Sequence, residues 1–189
     1  MTPPAGRPRD SRVDEAVREA VVALLAERGY EGMTIADVAA RAGVGRGALY
    51  RRWNSKAEMA FASVVHPLRL GEPPDTGTLR GDLFALAGMV HARFSDPSAS
   101  AALAGLVSEL RSEPALADAL DARLFAEERR WMATIIDRAR ARGELREAPE
   151  PELARQVLVG TISFAALYQP GAPVMAEQIA ELLARGLGA

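Results

Sequence analysis

The sequence predicts an all-α protein: an N-terminal three-helix helix-turn-helix domain, then a second helical domain, about nine helices in all. Two observations predict it. Strand-like alternation is nearly absent, while alanine and leucine dominate. Apolar residues recur at three- and four-residue spacing between proline and glycine breaks, which is how helices begin and end. The 189 residues, 49% of them hydrophobic, suffice for a core of one or two small domains.

Met1 to Asp10 is rich in proline and charge, without the apolar stretch of a signal peptide, and reads as a flexible, partly basic arm. Its Arg7 and Arg9, with Arg12, either enter a minor groove or stay disordered in the absence of DNA. The first helix spans about Asp10 or Ser11 to Arg28, with Val13, Val17, Val21, Leu24 and Leu25 on one stripe. Asp14 and Arg18 are spaced to pair one turn apart, and Gly29 supplies the stop. Thr34 is the N-cap of the second helix, with Asp37 near its positive end, and Gly43 ends it. A third helix spans Gly45 to Trp53. Ser55 and Glu58 then form a capping box for a fourth, which stops before Pro67.

Leu68 to Gly77 holds three glycine/proline clusters without periodicity and reads as a linker. The expected domains are 1–66, the arm and helix-turn-helix, and 67–189, the helical C-terminal part. The later helices are expected at Thr78–Phe94, Ser98–Arg111, Pro114–Arg142, Pro151–Leu167 and Pro173–Leu187.

Three short helices with a glycine-bearing turn between the second and third make a helix-turn-helix. Leu49 and Trp53 hold its scaffold, Ala39 stays small at the helix crossing, and Val44 plugs the gap. Arg46, Gly47, Tyr50 and Arg51 fall on the outer face of the third helix. Gly45, Gly47 and Ala48 are small enough to let that helix sit deep in a major groove. Charge agrees. The chain is −2 overall, but Thr34 to Lys56 holds five basic residues against Asp37 alone. A basic cluster on an acidic body marks a DNA-reading end. Arg41 and Arg52 leave two readings open, solvated charge or DNA contact.

The stretch from Gly29 to Met59 resembles the DNA-binding domain of the TetR/AcrR family of transcriptional repressors. The likeness lies in the Gly-Tyr end of helix one, the Thr-Ile opening of helix two and the Ala-Gly-Val turn. The Leu-Tyr pair, Trp53 and the Ser-Lys opening of helix four complete it. The resemblance implies phosphate contacts from Thr34, Lys56, Tyr50 and Arg51, and a base-reading role for Arg46. At Gly45, where a serine or threonine cap is common, the sequence departs from the pattern, which puts one phosphate contact in doubt. It further implies a homodimer on a palindromic operator of double-stranded DNA, with an unknown small-molecule effector bound in the C-terminal part.

No cysteine is present, so thiolate metal sites and cysteine nucleophiles are excluded. Two histidines, His66 and His91, make a poor metal site, and no phosphate loop, nucleophile elbow or paired carboxylates appear. No metal, cofactor or enzymatic activity is expected, and Glu127-Glu128 beside Arg129-Arg130 reads as a solvated face. No apolar run reaches the roughly 18 residues of a membrane span, so a cytoplasmic protein is expected. Bulky apolar stripes beyond residue 78 are mostly core. Phe84, His91, Phe94, Leu106, Trp131 and Ile135 are the candidate ligand-cavity residues, with Thr134 as a further polar contact. Leu153, Val157, Leu158, Phe164, Leu167, Ile179, Leu182 and Leu183 give the last two helices apolar faces that two subunits could join as a four-helix bundle. Two other readings share these residues: a helical small-molecule binding protein or enzyme without DNA binding, and an activator of the same fold.

Overall fold

A computed structural model describes residues 11–64, 71–112, 126–145, 147, 149–168 and 176–188. The N-terminal arm, His66, the first three residues of the expected linker and the first part of the expected Pro114–Arg142 helix lie outside them. Among the described residues the structure is helical. The exception is one isolated bridge, Leu145 to Gly188, which ties the loop after residue 141 to the end of the last helix.

The head comprises α1 (Ser11–Gly32), α2 (Ile35–Ala42), α3 (Arg46–Tyr50) and α4 (Lys56–Val64). Val17, Val21 and Leu24 of α1 are buried, as the three- and four-residue spacing requires. Gly29 breaks α1 at φ 67, ψ 178, and a further turn carries the chain to Gly32. Arg12 lies inside α1 and not in an arm. The expected Asp14–Arg18 pair does not form. Arg18 bonds Glu15 at 3.1 Å, and Asp14 instead meets Arg52 of the turn after α3, 38 residues away, at 3.2 Å.

The body contains α5 (Leu79–Phe94), α6 (Pro97–Ser112) and α7 (Ala126–Ala141). Then come α8 (Pro151–Arg155), a π-helical turn (Gln156–Gly160), α9 (Thr161–Tyr168) and α10 (Ala176–Leu187). Thr78 caps α5, accepting from the Gly81 N–H at 3.0 Å, and Pro151 opens α8, whose cap is Glu150. The run 151–168 keeps the α-region backbone through the π-turn, so its two α segments form one bent rod.

Two packings place the head. α1 and α4 lie on α6, while α10 closes against α5 and α7 against α8. A single apolar core runs from Val17 and Leu49 through Phe61 and Leu106 to Ile135 and Leu158. Head and body therefore share side chains at α6. One such contact is made by Tyr30, whose ring lies against Gly105 and whose hydroxyl donates to the Glu109 carboxylate. Burial and that carboxylate push the Tyr30 phenol far above its ordinary range. It remains a donor at any physiological pH.

Candidate nucleic-acid interface and effector cavity

α2 and α3 are positioned by local chemistry legible in the chain. The Thr34 hydroxyl donates to Asp37 Oδ2 at 2.6 Å and accepts from the Asp37 N–H at 3.1 Å. The Thr34 N–H donates to the same carboxylate at 3.1 Å, closing a capping box that the sequence hinted at only through Asp37's position. Arg28 of α1 adds a 3.3 Å ion pair to Asp37. The Thr34 bonds, then Arg28, hold Asp37 below the usual carboxylate range.

Gly43 adopts the left-handed conformation, φ 66 and ψ 29. Its N–H bonds Ala40 O at 3.4 Å, and the Val44 N–H bonds Ala39 O at 3.0 Å. This pair of hydrogen bonds is the Schellman turn that a glycine at this position makes possible, and it ends α2 before α3 begins. Leu49 is buried beneath α3 and Trp53 packs at the core's edge. Regular α3 is shorter than expected. Beyond Tyr50 the chain tightens, with the Arg52 and Trp53 N–H groups both bonding Leu49 O.

The outer face of α3 is bare. Gly45 and Gly47 are exposed, and a Cβ at Gly45 would meet nothing within 4 Å. Arg46 is exposed, and neither it, Tyr50 (57% exposed) nor Arg51 has a hydrogen-bond or ion-pair partner among the described residues. The other basic residues of the segment are engaged. Arg41 forks onto Glu27 with two bonds of 2.8 Å, and Arg52 meets Asp14. Lys56 donates to Tyr30 O at 3.1 Å and stands 4.0 Å from the centre of the Tyr30 ring. The basic cluster of the sequence thus narrows to Arg46 and Arg51 on one helix face. At the start of α4, Ser55 accepts from the Glu58 N–H at 3.0 Å. The buried Glu58 carboxylate returns to Asn54 N–H at 2.7 Å, one residue before the position a capping box would use.

The six residues expected to line a ligand cavity do not converge. Leu106 and Ile135 are core residues. His91 is half-buried near the end of α5, with Nε2 3.1 Å from Ser95 Oγ. Phe84 lies under the Arg80 guanidinium, in an open groove beside α10. Thr134 bonds back to Arg130 O within its own helix. Phe94 and Trp131 do reach cavities, and these share a wall that sequence reasoning missed, Glu128, Arg155 and Val159. Glu128 does not belong to a solvated face. Its side chain is 11% exposed, 3.3 Å from Arg155 and 3.7 Å from Arg93. Arg155 also forks onto Glu152 at 2.8 and 2.6 Å. That pairing raises Arg155 above its ordinary value and lowers Glu152, whereas burial holds Arg93 below the usual arginine range.

Among the described residues no helix is long and apolar enough to cross a membrane, and no cluster of side chains could hold a metal ion. Two family models match the chain. Residues 17–62 match the model for bacterial regulatory proteins of the tetR family, and residues 73–185 the tetracyclin repressor-like C-terminal domain. An uncharacterized HTH-type transcriptional regulator of Mycobacterium tuberculosis is 33% identical over 161 residues, 85% of this chain and 78% of its own. The uncharacterized regulator YdeS of Bacillus subtilis is 28% identical, over 84% of this chain and 80% of its own. The crystal structure of the TetR family transcription regulator SCO0332 superposes with a TM-score of 0.72 at 26% identity, over 93% of this chain and 98% of that one.

Proposed function

The chain belongs to the TetR family of DNA-binding, ligand-responsive transcriptional regulators, and from that premise we propose that it is a homodimeric repressor which reads a palindromic operator through α3. The observation that carries the reading is the bare face of α3, where Arg46, Tyr50 and Arg51 stand without partners among the described residues and Gly45 and Gly47 leave the surface open. A major groove about 12 Å wide admits such a helix. Arg46 reads a base edge, most simply guanine. Tyr50, Arg51 and Thr34 hold phosphates, and Lys56 reaches one only on leaving Tyr30. Arg41 and Arg52, already paired, support the scaffold.

Residues 1–66 act as the reading head and 67–189 as the effector-binding and dimerising body. Leu153, Val157, Phe164 (60% exposed) and Tyr168 recur at intervals of four and seven along the 151–168 rod, and Leu182 stands 73% exposed on α10. An apolar stripe of this kind supports a four-helix bundle between two copies. The twofold axis then sets the two α3 helices one helical turn of DNA apart, about 34–36 Å, or a multiple of it. A small molecule in the body favours a head spacing that does not fit, with a coupling of about 1–3 kcal/mol. The protein works in the cytoplasm, on the DNA. Its family is one of regulators, not enzymes.

The test is a mobility-shift and footprinting assay on the DNA upstream of its own gene. Wild type shifts a fragment at low salt, and Arg46→Ala weakens specific binding by about 1–3 kcal/mol. An unchanged footprint removes Arg46 from the reading role, and a wild type that shifts no fragment overturns the proposal. Transcription with and without the protein separates repressor from activator.

A further inference from the structure

α3 has little of its own to hold its direction. It is five residues long, and isolated helices shorter than about 12–15 residues are marginal in water. Its N-cap, Gly45, makes no side-chain bond to the helix, and Leu49 alone of its residues is buried. The Gly43 turn fixes where α3 starts. Its direction needs a second fixed point, at the far end.

That point is Arg52. Its N–H bonds Leu49 O at 2.8 Å, so its backbone belongs to the turn that closes α3. Its Nε donates to Asp14 Oδ1, in the first turn of α1, at 3.2 Å. The pair is enclosed, with the Asp14 side chain 9% exposed and that of Arg52 21%. Enclosed pairs are costly to break. The other ties between α1 and the helix-turn-helix, Arg28 with Asp37 and Glu27 with Arg41, lie more in water. Exposed pairs of that kind contribute little.

Asp14 and Arg28 are fourteen residues apart, roughly four turns at 3.6 residues per turn. They therefore share a face of α1, about 21 Å apart at 1.5 Å per residue. Arg28 meets Asp37 in the first turn of α2, and Asp14 meets Arg52 just past the last turn of α3. One face of one helix thus holds both outer ends of the helix-turn-helix, with the Gly43 turn between them.

We propose that Asp14 is a positioning residue for DNA reading: through Arg52 it fixes the direction of α3, and it touches no DNA itself. The inference rests on the regulator reading above and adds the residue that aims the reader. Without the pair, α3 pivots at the Gly43 turn. Base-edge hydrogen bonds have a narrow range, about 2.7–3.2 Å, so a pivot of even about 1 Å at the side-chain tips breaks them. Non-specific binding rests on charge and tolerates the same shift. Loss of Asp14 therefore costs discrimination before it costs attraction to DNA.

The experiment compares full-length Asp14→Asn, Arg52→Gln, the double variant and Glu15→Gln, at a temperature where circular dichroism shows each folded. Glu15→Gln is the control for charge. Glu15 lies beside Asp14 in the sequence but is 54% exposed and pairs with Arg18 of its own helix. Hydrogen exchange is read first, without DNA, at the Ala48, Arg51, Arg52 and Trp53 amides, which bond within α3 and its closing turn. In Asp14→Asn they exchange about tenfold faster than in wild type, as loss of a hydrogen bond to a charged group implies. Amides of α5 keep their rates, and Glu15→Gln changes neither set. Affinity for the footprinted fragment and for an unrelated fragment is then measured against salt. Asp14→Asn lowers the ratio of specific to non-specific affinity about tenfold, with the salt slope of Glu15→Gln. Arg52→Gln loses at least as much, and the double variant loses no more than Arg52→Gln alone, because Asp14 acts through it.

Exchange rates and a specificity ratio in Asp14→Asn that match the control overturn the proposal. So does a double variant whose losses add, since Asp14 would then act apart from Arg52. An Arg52→Gln protein whose salt slope falls by about 1 makes Arg52 a phosphate contact and overturns it as well. Should Asp14→Asn fail to fold, Arg52→Gln still decides by its exchange and its salt slope. Faster exchange with an unchanged specificity ratio leaves the pair a structural tie and overturns its role in reading. A wild type that shifts no fragment overturns the regulator reading, and the exchange of the α3 amides then tests the Asp14 tie by itself.

Discussion

Gly105 is the residue on which the joint between head and body turns. It sits in the middle of α6, where alanine would ordinarily stabilise a helix by about 1 kcal/mol over glycine. Here a Cβ would stand 2.5 Å from Cε1 and Cε2 of Tyr30. Carbon atoms rest at about 3.5–4.0 Å, so the ring must retreat by roughly 1 Å or more. It cannot do so freely, because its hydroxyl is bonded to Glu109 and Lys56 stands 4.0 Å from its centre. Overpacking costs about 1–3 kcal/mol, and loss of a hydrogen bond to a charged group about 1.5–3. Net of the helix-propensity gain, Gly105→Ala destabilises by about 1.5–5 kcal/mol, which for a chain of this size lowers the melting temperature by roughly 3–20 °C. Gly88 is the control. It lies exposed in α5 with nothing within 4 Å of its Cβ, so Gly88→Ala stabilises by about 0.5–1 kcal/mol. Thermal unfolding followed by circular dichroism reads both. A Gly105→Ala protein that melts at or above wild type, as the control does, would refute the account of Tyr30 as a strut between α1 and α6.

Two further outcomes follow from the same geometry. Phe164→Glu puts a carboxylate into the stripe proposed to join two copies, and burying it unpaired costs about 3 kcal/mol or more. Sedimentation should therefore show wild-type dimer and variant monomer at the same micromolar concentration, and identical sedimentation of the two would sink the proposed face. Asp37 is held below its ordinary value of 3.8, chiefly by the Thr34 hydroxyl. The stability this pair gives is complete above about pH 4 and lost as pH falls through the lowered folded value, because the unfolded state takes up the proton first. In Thr34→Ala the Asp37 carboxyl, followed by NMR, should titrate at higher pH than in wild type; an unmoved titration would mean that Thr34 is not the cause.

The helices were legible because their information is local. Val17, Val21 and Leu24 carry the period of α1 in three residues, Thr34 and Gly43 mark ends through bonds made within a turn of themselves, and Pro151 marks a start by its fixed φ. What escaped was set by partners far along the chain. Asp14 has Arg18 one turn away, yet it takes Arg52, 38 residues on, which the fold brings within 3.2 Å. Gly105 reads as a weak point in α6 until Tyr30, 75 residues earlier, is laid across it. The π-turn at Gln156–Gly160 has no glycine or proline inside it to announce it, only Gly160 at its close.

The sites divide along the same line. The bare face of α3 could be read because it depends on helix period and side-chain size, both visible in Arg46, Gly47 and Tyr50. The cavity at Phe94 could not, because its apolar walls come from four separate elements, with Phe61, Phe94, Leu103 and Val159 one from each, and the stripe Trp131–Met132–Ile135 is core. One signal was present. Glu128 falls three and four residues before Trp131 and Met132, and Arg155 the same distance before Leu158 and Val159. A charge that keeps the register of a buried stripe faces inward with it, and inward charges are found paired. Reading Glu127 to Arg130 as one solvated block ignored that register. The four residues fan over about 300° of the helix at about 100° per residue, so they cannot share a face. Glu128 is the one turned inward, 11% exposed, while Arg130 stands 73% exposed. A search for charges in apolar register would have found Glu128 and Arg155 together, and with them the charged wall of the cavity.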